Sequence, residues 1–309
     1  MTEYSNPQIP EGINVSSEHP LKDFFLMLSG IGIALVLAIT LLSMFAQQLV
    51  RFIPFEVEQT LAANLGQWQL DRSDTEPLDE EGTAANLTDD EIALAQSNRE
   101  KEAYNRRVKT YLQQLGNQLL VNTTDPLPVA LHYIDSDMVN AFATLGGHIF
   151  VSRGLLSILP DENSLAMVLA HEIAHVQHRD PIVALGRGLT LGLALMCITG
   201  NGDGAMAQQL LGEVNLLVGL RFSRDAETAA DQAALESLLQ HYGHVASADQ
   251  LFQYLRQHQG DELLEWFSTH PLHDQRIAMI DQFAAKHRVA QMDTTALPAW
   301  LQLSVHRAD

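Results

Sequence analysis

His171 and His175 stand four residues apart with Glu172 beside the first of them, in the stretch His171-Glu-Ile-Ala-His175. On an α-helix, residues i and i+4 share a face one turn apart. Both imidazoles can then reach one metal ion. Glu172 can reach a water on that ion without being a ligand, the place of a general base. Glu and His are also ordinary surface-helix residues, so a solvated helix face is the alternative for five residues alone. The surrounding sequence has to decide.

A second stretch, Arg221-Phe-Ser-Arg-Asp-Ala-Glu227-Thr-Ala-Ala-Asp231, is helical in composition, with Glu227 and Asp231 one turn apart. A catalytic zinc held by two histidines needs a third protein ligand and leaves one position for water. Glu227 can be that ligand. Asp231 can accept the second N–H of a ligand imidazole and fix its tautomer. An alanine-rich helix with surface acids has the same composition; its place after the H-E-x-x-H stretch favours the metal.

Particular elements must carry these groups. A helix is expected from the start signals at Leu159-Pro-Asp-Glu-Asn-Ser164, where Asp161 or Ser164 can cap and Glu162 sits in the first turn. Pro181 cannot continue that helix, and His178 is a surface or capping residue. Upstream, Thr88-Asp-Asp-Glu91 fits a capping box for a helix reaching Leu120 with Leu112, Leu115, Leu119 and Leu120 on its apolar face. Residues 128–134 alternate as a strand does. After a turn at Asp135-Ser-Asp137, two short β-like runs flank Gly146-Gly147, a hairpin or bulge signal. A strand edge just before the metal helix can bind an extended polypeptide by β-addition. The residues placed there are Asn140, Ala141, Phe142, Gly146 and Gly147. An ordinary core hairpin would read the same way.

The chain has 309 residues, a net charge of -20 and a single cysteine, Cys197. The charge opposes binding to phosphate backbones, so no nucleic-acid partner is expected. One cysteine excludes an intrachain disulfide and a cysteine-based zinc site. Phe24 to Val50 contains no charged residue. That exceeds the roughly 20 apolar residues needed to span a bilayer, and it is too long for the apolar core of a cleaved signal peptide. Lys22 and Arg51 bracket it, so the positive-inside rule leaves orientation weakly set, favouring a cytoplasmic tail and an external domain. A second apolar run, 182–199, is interrupted by Arg187, which would cost about 3 kcal/mol at a bilayer centre; a buried or membrane-apposed helix is expected. The chain divides into a disordered tail (1–21), a transmembrane anchor (22–51), an acidic linker and helix start (52–103) and a catalytic domain (104–309). Toward the C-terminus, 246–258 and 261–268 read as short helices and Asp274–Lys286 as an amphipathic one. His241, His244, His258 and His273 read as surface histidines, and the tail around Trp300 as packing back on the domain.

These motifs resemble the HtpX/Oma-type zinc metalloendopeptidases, metallopeptidase family forty-eight, in its single-anchor bacterial form. Four stretches carry the likeness in order: Asn140-Ala-Phe-Ala-Thr-Leu-Gly-Gly147, His171-Glu-Ile-Ala-His175, Ser223-Arg-Asp-Ala-Glu-Thr-Ala-Ala-Asp231, and Thr269-His-Pro271 followed by Arg276. The resemblance spans about residues 105–285. It implies one Zn2+ per chain on His171, His175 and Glu227, with Glu172 as base and His270 near the site, able to stabilise an oxyanion. It implies an α+β, mostly α fold: a zincin (gluzincin) domain with a small sheet behind one N-terminal transmembrane helix. The expected function is zinc-dependent hydrolysis of polypeptide substrates, misfolded or damaged envelope proteins among them. The expected location is single-pass in a bacterial inner membrane, with a periplasmic catalytic domain and envelope proteins as partners. The alternative is a latent metal-containing chaperone or adaptor with little proteolysis. A prenyl-peptide protease would need several more spans than the sequence offers.

Overall fold

A long uncharged apolar stretch gains most as a helix, which satisfies its own backbone polar groups. In a computed structural model, which describes residues 20–50, 52–64, 89–121, 123–199, 222–258, 270, 274–287 and 293–301, this stretch is helix α1, Pro20–Val50. Leu21–Leu41 within it is long and apolar enough to cross a membrane, and none of it is buried in the protein. Residues 1–19 of the expected tail, most of the acidic stretch (up to residue 88), the helix at 261–268, and Thr269, Pro271 and His273 lie outside the described residues, while Pro20 and Leu21 of the tail begin α1.

The expected linker is interrupted by a helix. α2, Phe55–Asn64, buries Phe55, Glu58 and Ala62, which recur along one face. α3, Asp89–Leu120, buries Val108, Leu112, Leu115 and Leu119 in the main core. Three strands follow: β1, Ala130–Ile134, β2, Ala141–Ala143, and β3, His148–Ser152, in spatial order β1-β3-β2. β1 pairs with β3 in parallel and β2 pairs with it antiparallel. Ala141, Ala143, Ile149, Val151, Leu131 and Tyr133 belong to the main core. On the other face His132, Phe150 and Phe142 stack across the three strands, with centroids 4.7 and 5.2 Å apart.

The glycine pair between β2 and β3 forms a 3-10 turn, Leu145–Gly147, with φ of 74° at Gly146 and 84° at Gly147. Both values are in the region that favours glycine. A Cβ on Gly147 would lie 2.2 Å from the Pro128 carbonyl oxygen, and one on Gly146 2.9 Å from Ala62 Cβ. α2 thus lies directly on this turn.

α4, Arg153–Ile158, leads into α5, Glu162–Gln177. Asp161 caps α5 by accepting from Ser164 N–H at 2.8 Å, and Ser164 returns the bond as a capping box. His178 is the C-cap, Arg179 turns the chain with φ of 63°, and α6, Asp180–Thr199, begins at once. Pro181 does not merely end α5; it occupies the first turn of α6, where its missing N–H costs nothing. α6 packs alongside α1, and its start, Ile182 and Leu185, joins Ala62 and Leu145 in a second small core.

α7, Arg224–Tyr242, is capped by Ser223, packs along α5 and buries Ala230, Ala234, Leu235 and Leu238. α8, Gln250–Gln257, and α9, Asp274–Lys286, complete the described helices of the domain. His244 is buried rather than exposed, and its Nδ1 accepts from Ala246 N–H at 3.2 Å, closing the turn after α7. Trp300 packs edge-on against Tyr104 and Tyr111, with Arg107 4.2 Å from its ring centre, tying the C-terminal segment to α3.

Candidate metal centre

α5 carries His171, Glu172 and His175 into the interior, all at most 2% exposed. The two Nε2 atoms lie 3.1 Å apart. The first turns of α7 bring Glu227 and Asp231 against them. Glu227 Oε2 is 3.4 Å from His171 Nε2, and its Oε1 is 3.7 Å from His175 Nε2. His270 joins from the far side, its Nδ1 3.0 Å from Glu227 Oε1 and 3.4 Å from His171 Nε2. Each of His171, His175, Glu227 and His270 offers a ligand atom, and these atoms lie within 4.8 Å of one another.

The opposite edges of the imidazoles explain their aim. His171 Nδ1 lies 2.9 Å from Asp231 Oδ1, and His175 Nδ1 lies 2.8 Å from Asp180 Oδ2. A carboxylate accepts, so each Nδ1 carries a proton, and in the neutral ring each Nε2 presents a lone pair. Two lone pairs and a carboxylate converging on one buried point repel unless a cation or a proton lies among them. The donor types, imidazole nitrogen and carboxylate oxygen, are those of zinc sites. Arg276 braces the carboxylates, with Nε and Nη2 donating to Asp231 at 2.6 and 2.7 Å and Nη1 3.1 Å from Glu227 Oε2. Such a fork fixes geometry as well as charge.

The electrostatics follow from burial and these partners. Burial opposes a charge on His171, but Asp231 and then Glu227 outweigh it and lift its pKa to about 9. Burial dominates at His175 and pushes it down to about 3. Burial likewise lifts Glu172 to about 8. Glu227 is buried too, yet the hydrogen bonds from His171 and His270 hold its carboxyl below the ordinary range. These are the coupled groups expected where protons and a cation compete for the same lone pairs.

Glu172 points to neither α5 nor α7. Its Oε2 accepts from Ala143 N–H at 2.8 Å, and its Oε1 lies 3.4 Å from His270 Nε2. Edge strand β2 is therefore joined to the carboxylate beside the candidate metal ligands. Asn140 precedes β2 and donates its N–H to Ser152 Oγ, and Ala141 and Phe142 lie within β2. Gly146 and Gly147 stand apart from that edge, in the turn that packs against α2.

The family profile described as Peptidase family M48 matches residues 105–284, more than half of the chain. This chain belongs to peptidase family M48. It is 31% identical over 175 residues to mitochondrial metalloendopeptidase OMA1 of Schizosaccharomyces pombe, covering 55% of this chain and 51% of that protein. It is 29% identical over 202 residues to the beta-barrel assembly-enhancing protease of Yersinia pestis, covering 61% and 40%. A Protease HtpX homolog of Aeropyrum pernix is 27% identical over 219 residues, covering 49% and 68%. The chain spans about half or less of the length of the first OMA1 and beta-barrel assembly relatives. M48 members are metallopeptidases, and α5, α7 and His270 all fall inside the matched stretch.

Three contributors were not assigned from sequence. Asp180 could have been found as an acid just past the end of the H-E-x-x-H helix. Arg276 stood in a quoted motif without a role. The Ala143 N–H is backbone and leaves no sequence signal.

Proposed function

We propose that this chain is a membrane-anchored, zinc-dependent endopeptidase acting on misfolded or damaged envelope polypeptides. The observation that carries the reading is the convergence of His171, His175 and Glu227 with Glu172 beside them. His171, His175 and Glu227 would hold the metal, while Asp231 and Asp180 keep the imidazoles in the ligating tautomer. A bound Zn2+ acidifies water and polarises the scissile carbonyl. Glu172 takes a proton from the attacking water and hands it to the leaving amine. Ala143 N–H holds that carboxylate in place, and β2, through the outward-facing backbone of Ala141 between Asn140 and Phe142, would offer its edge to an extended substrate. His270, whose Nε2 lies 3.4 Å from Glu172 Oε1, would donate to an oxyanion.

The anchor is α1, and the relative named for β-barrel assembly supports an envelope setting, in a bacterial inner membrane with a periplasmic domain. The test pairs zinc content with cleavage of unfolded casein, wild type against Glu172→Gln. Zinc in both and cleavage in wild type alone supports the peptidase. Retained turnover in Glu172→Gln removes that base, and no zinc in either removes the site.

A second reading, a latent metal protein acting as chaperone or adaptor, has one observation in its favour. His270 Nδ1 stands among the other donors, and four protein donors are the closed pattern of structural zinc sites. Zinc in both proteins and cleavage in neither supports it. Cleavage gained by His270→Ala would then identify a closed enzyme instead.

A further inference from the structure

We propose that Glu58, on the short helix after the apolar anchor, is a positioning residue of the metal centre. Through Gly146 it fixes the strand that holds Glu172, and through Arg179 the helix junction that orients His175. Glu58 is 2% exposed, 113 residues before the first histidine ligand, and its two oxygens serve different elements. Oε1 accepts from Gly146 N–H at 3.1 Å, and Oε2 accepts from Arg179 Nε at 2.7 Å. Arg179 Nη1 and Nη2 both donate to the Ile53 carbonyl at 3.2 Å, so the guanidinium grips α2 at its start as well.

Each partner stands next to a group that touches the centre. Gly146 is three residues past Ala143, whose N–H holds Glu172. Arg179 immediately precedes Asp180, whose carboxylate orients His175. Arg179 has φ of 63°, a conformation that a non-glycine residue keeps only where its surroundings impose it. The surroundings here are Glu58, Ile53 and the Phe55 ring, 5.4 Å from the guanidinium carbon. Ala62 packs with Leu145 and with Ile182 and Leu185 of α6, so apolar contact holds the same three elements together. A carboxylate buried for solubility or folding alone would not need one oxygen on each wall of the site.

The test uses the full-length chain in detergent, loaded with zinc. Wild type is compared with Glu58→Gln, Arg179→Gly and Arg179→Lys. Arg179→Gly removes the side chain where glycine accepts the backbone. Glu56→Gln, on the exposed side of α2, is the control. Zinc loss to excess chelator and casein cleavage are followed, with melting to establish folding. Glu58→Gln and Arg179→Gly should each lose zinc about tenfold faster, the usual effect of removing a ligand's orienting partner, and lower kcat more than KM. Arg179→Lys should fall between them and wild type, and it decides the matter should Glu58→Gln fail to fold. Folded Glu58→Gln and Arg179→Gly that hold zinc like wild type would overturn the proposal. The cleavage part rests on the peptidase reading, whereas zinc retention does not. Faster zinc loss with a wild type that never cleaves would sink that reading and leave the positioning role standing.

Discussion

His171 and His175 each have a carboxylate behind the ring, and the two carboxylates come from different helices. Asp231 belongs to α7 and Asp180 to the start of α6. Asp180→Asn keeps the size of the side chain but can donate where it must accept. It should weaken zinc about 10–100-fold with little change in melting temperature, measurable by competition with a chromogenic chelator. Far from the site, Asp135 bridges Lys101 of α3 and Arg153 of α4 at 2.9 and 2.7 Å. Burial raises its pKa, but these two cations outweigh burial and the net shift is downward. A depressed folded pKa means that the unfolded chain binds the proton more readily. The contribution is therefore present above the ordinary carboxyl range and is lost as pH falls through the depressed value. Asp135→Asn should lower the melting temperature at pH 7, and the difference from wild type should shrink steadily on acidification.

At the scale of elements, α5 and α7 were legible because their signals are local. Caps, apolar spacing and paired acids lie within twenty residues of one another. The capping box at Asp161 and the cap at Ser223 show why: both ends are specified by side chains next to the helix they start. α2 was not legible. Phe52 to Asn64 offers a modest apolar face, and its partners Gly146 and Arg179 are far along the chain, so it read as linker. His244 was misread for a similar reason, since burial by a turn leaves no periodic pattern. The 3-10 turn makes a sharp prediction. Gly147→Ala places a methyl 2.2 Å from the Pro128 carbonyl oxygen in a backbone region alanine avoids. It should destabilise by about 2–4 kcal/mol, seen as an earlier midpoint in urea. An alanine at Gly188, where nothing lies within 4 Å of an added Cβ, should not destabilise the fold.

For the whole molecule, the composition was a better guide to what surrounds the chain than to how it is arranged. The uncharged stretch gave the anchor, and α1 is exposed along nearly its whole described length, as a helix meant for lipid would be. The full chain should stay in the membrane pellet after alkaline carbonate and leave it only with detergent. Protease added to spheroplasts should digest the catalytic domain; protection would place that domain in the cytoplasm instead. Four residues separate the end of α1 at Val50 from the start of α2 at Phe55. Even fully extended, they span roughly 14 Å. With α1 in a bilayer, this short link and the packing of α6 alongside α1 would hold the domain close to the lipid. It would then work in a thin layer against the lipid rather than in a volume. Any polypeptide substrate would first have to enter that layer, whatever its sequence.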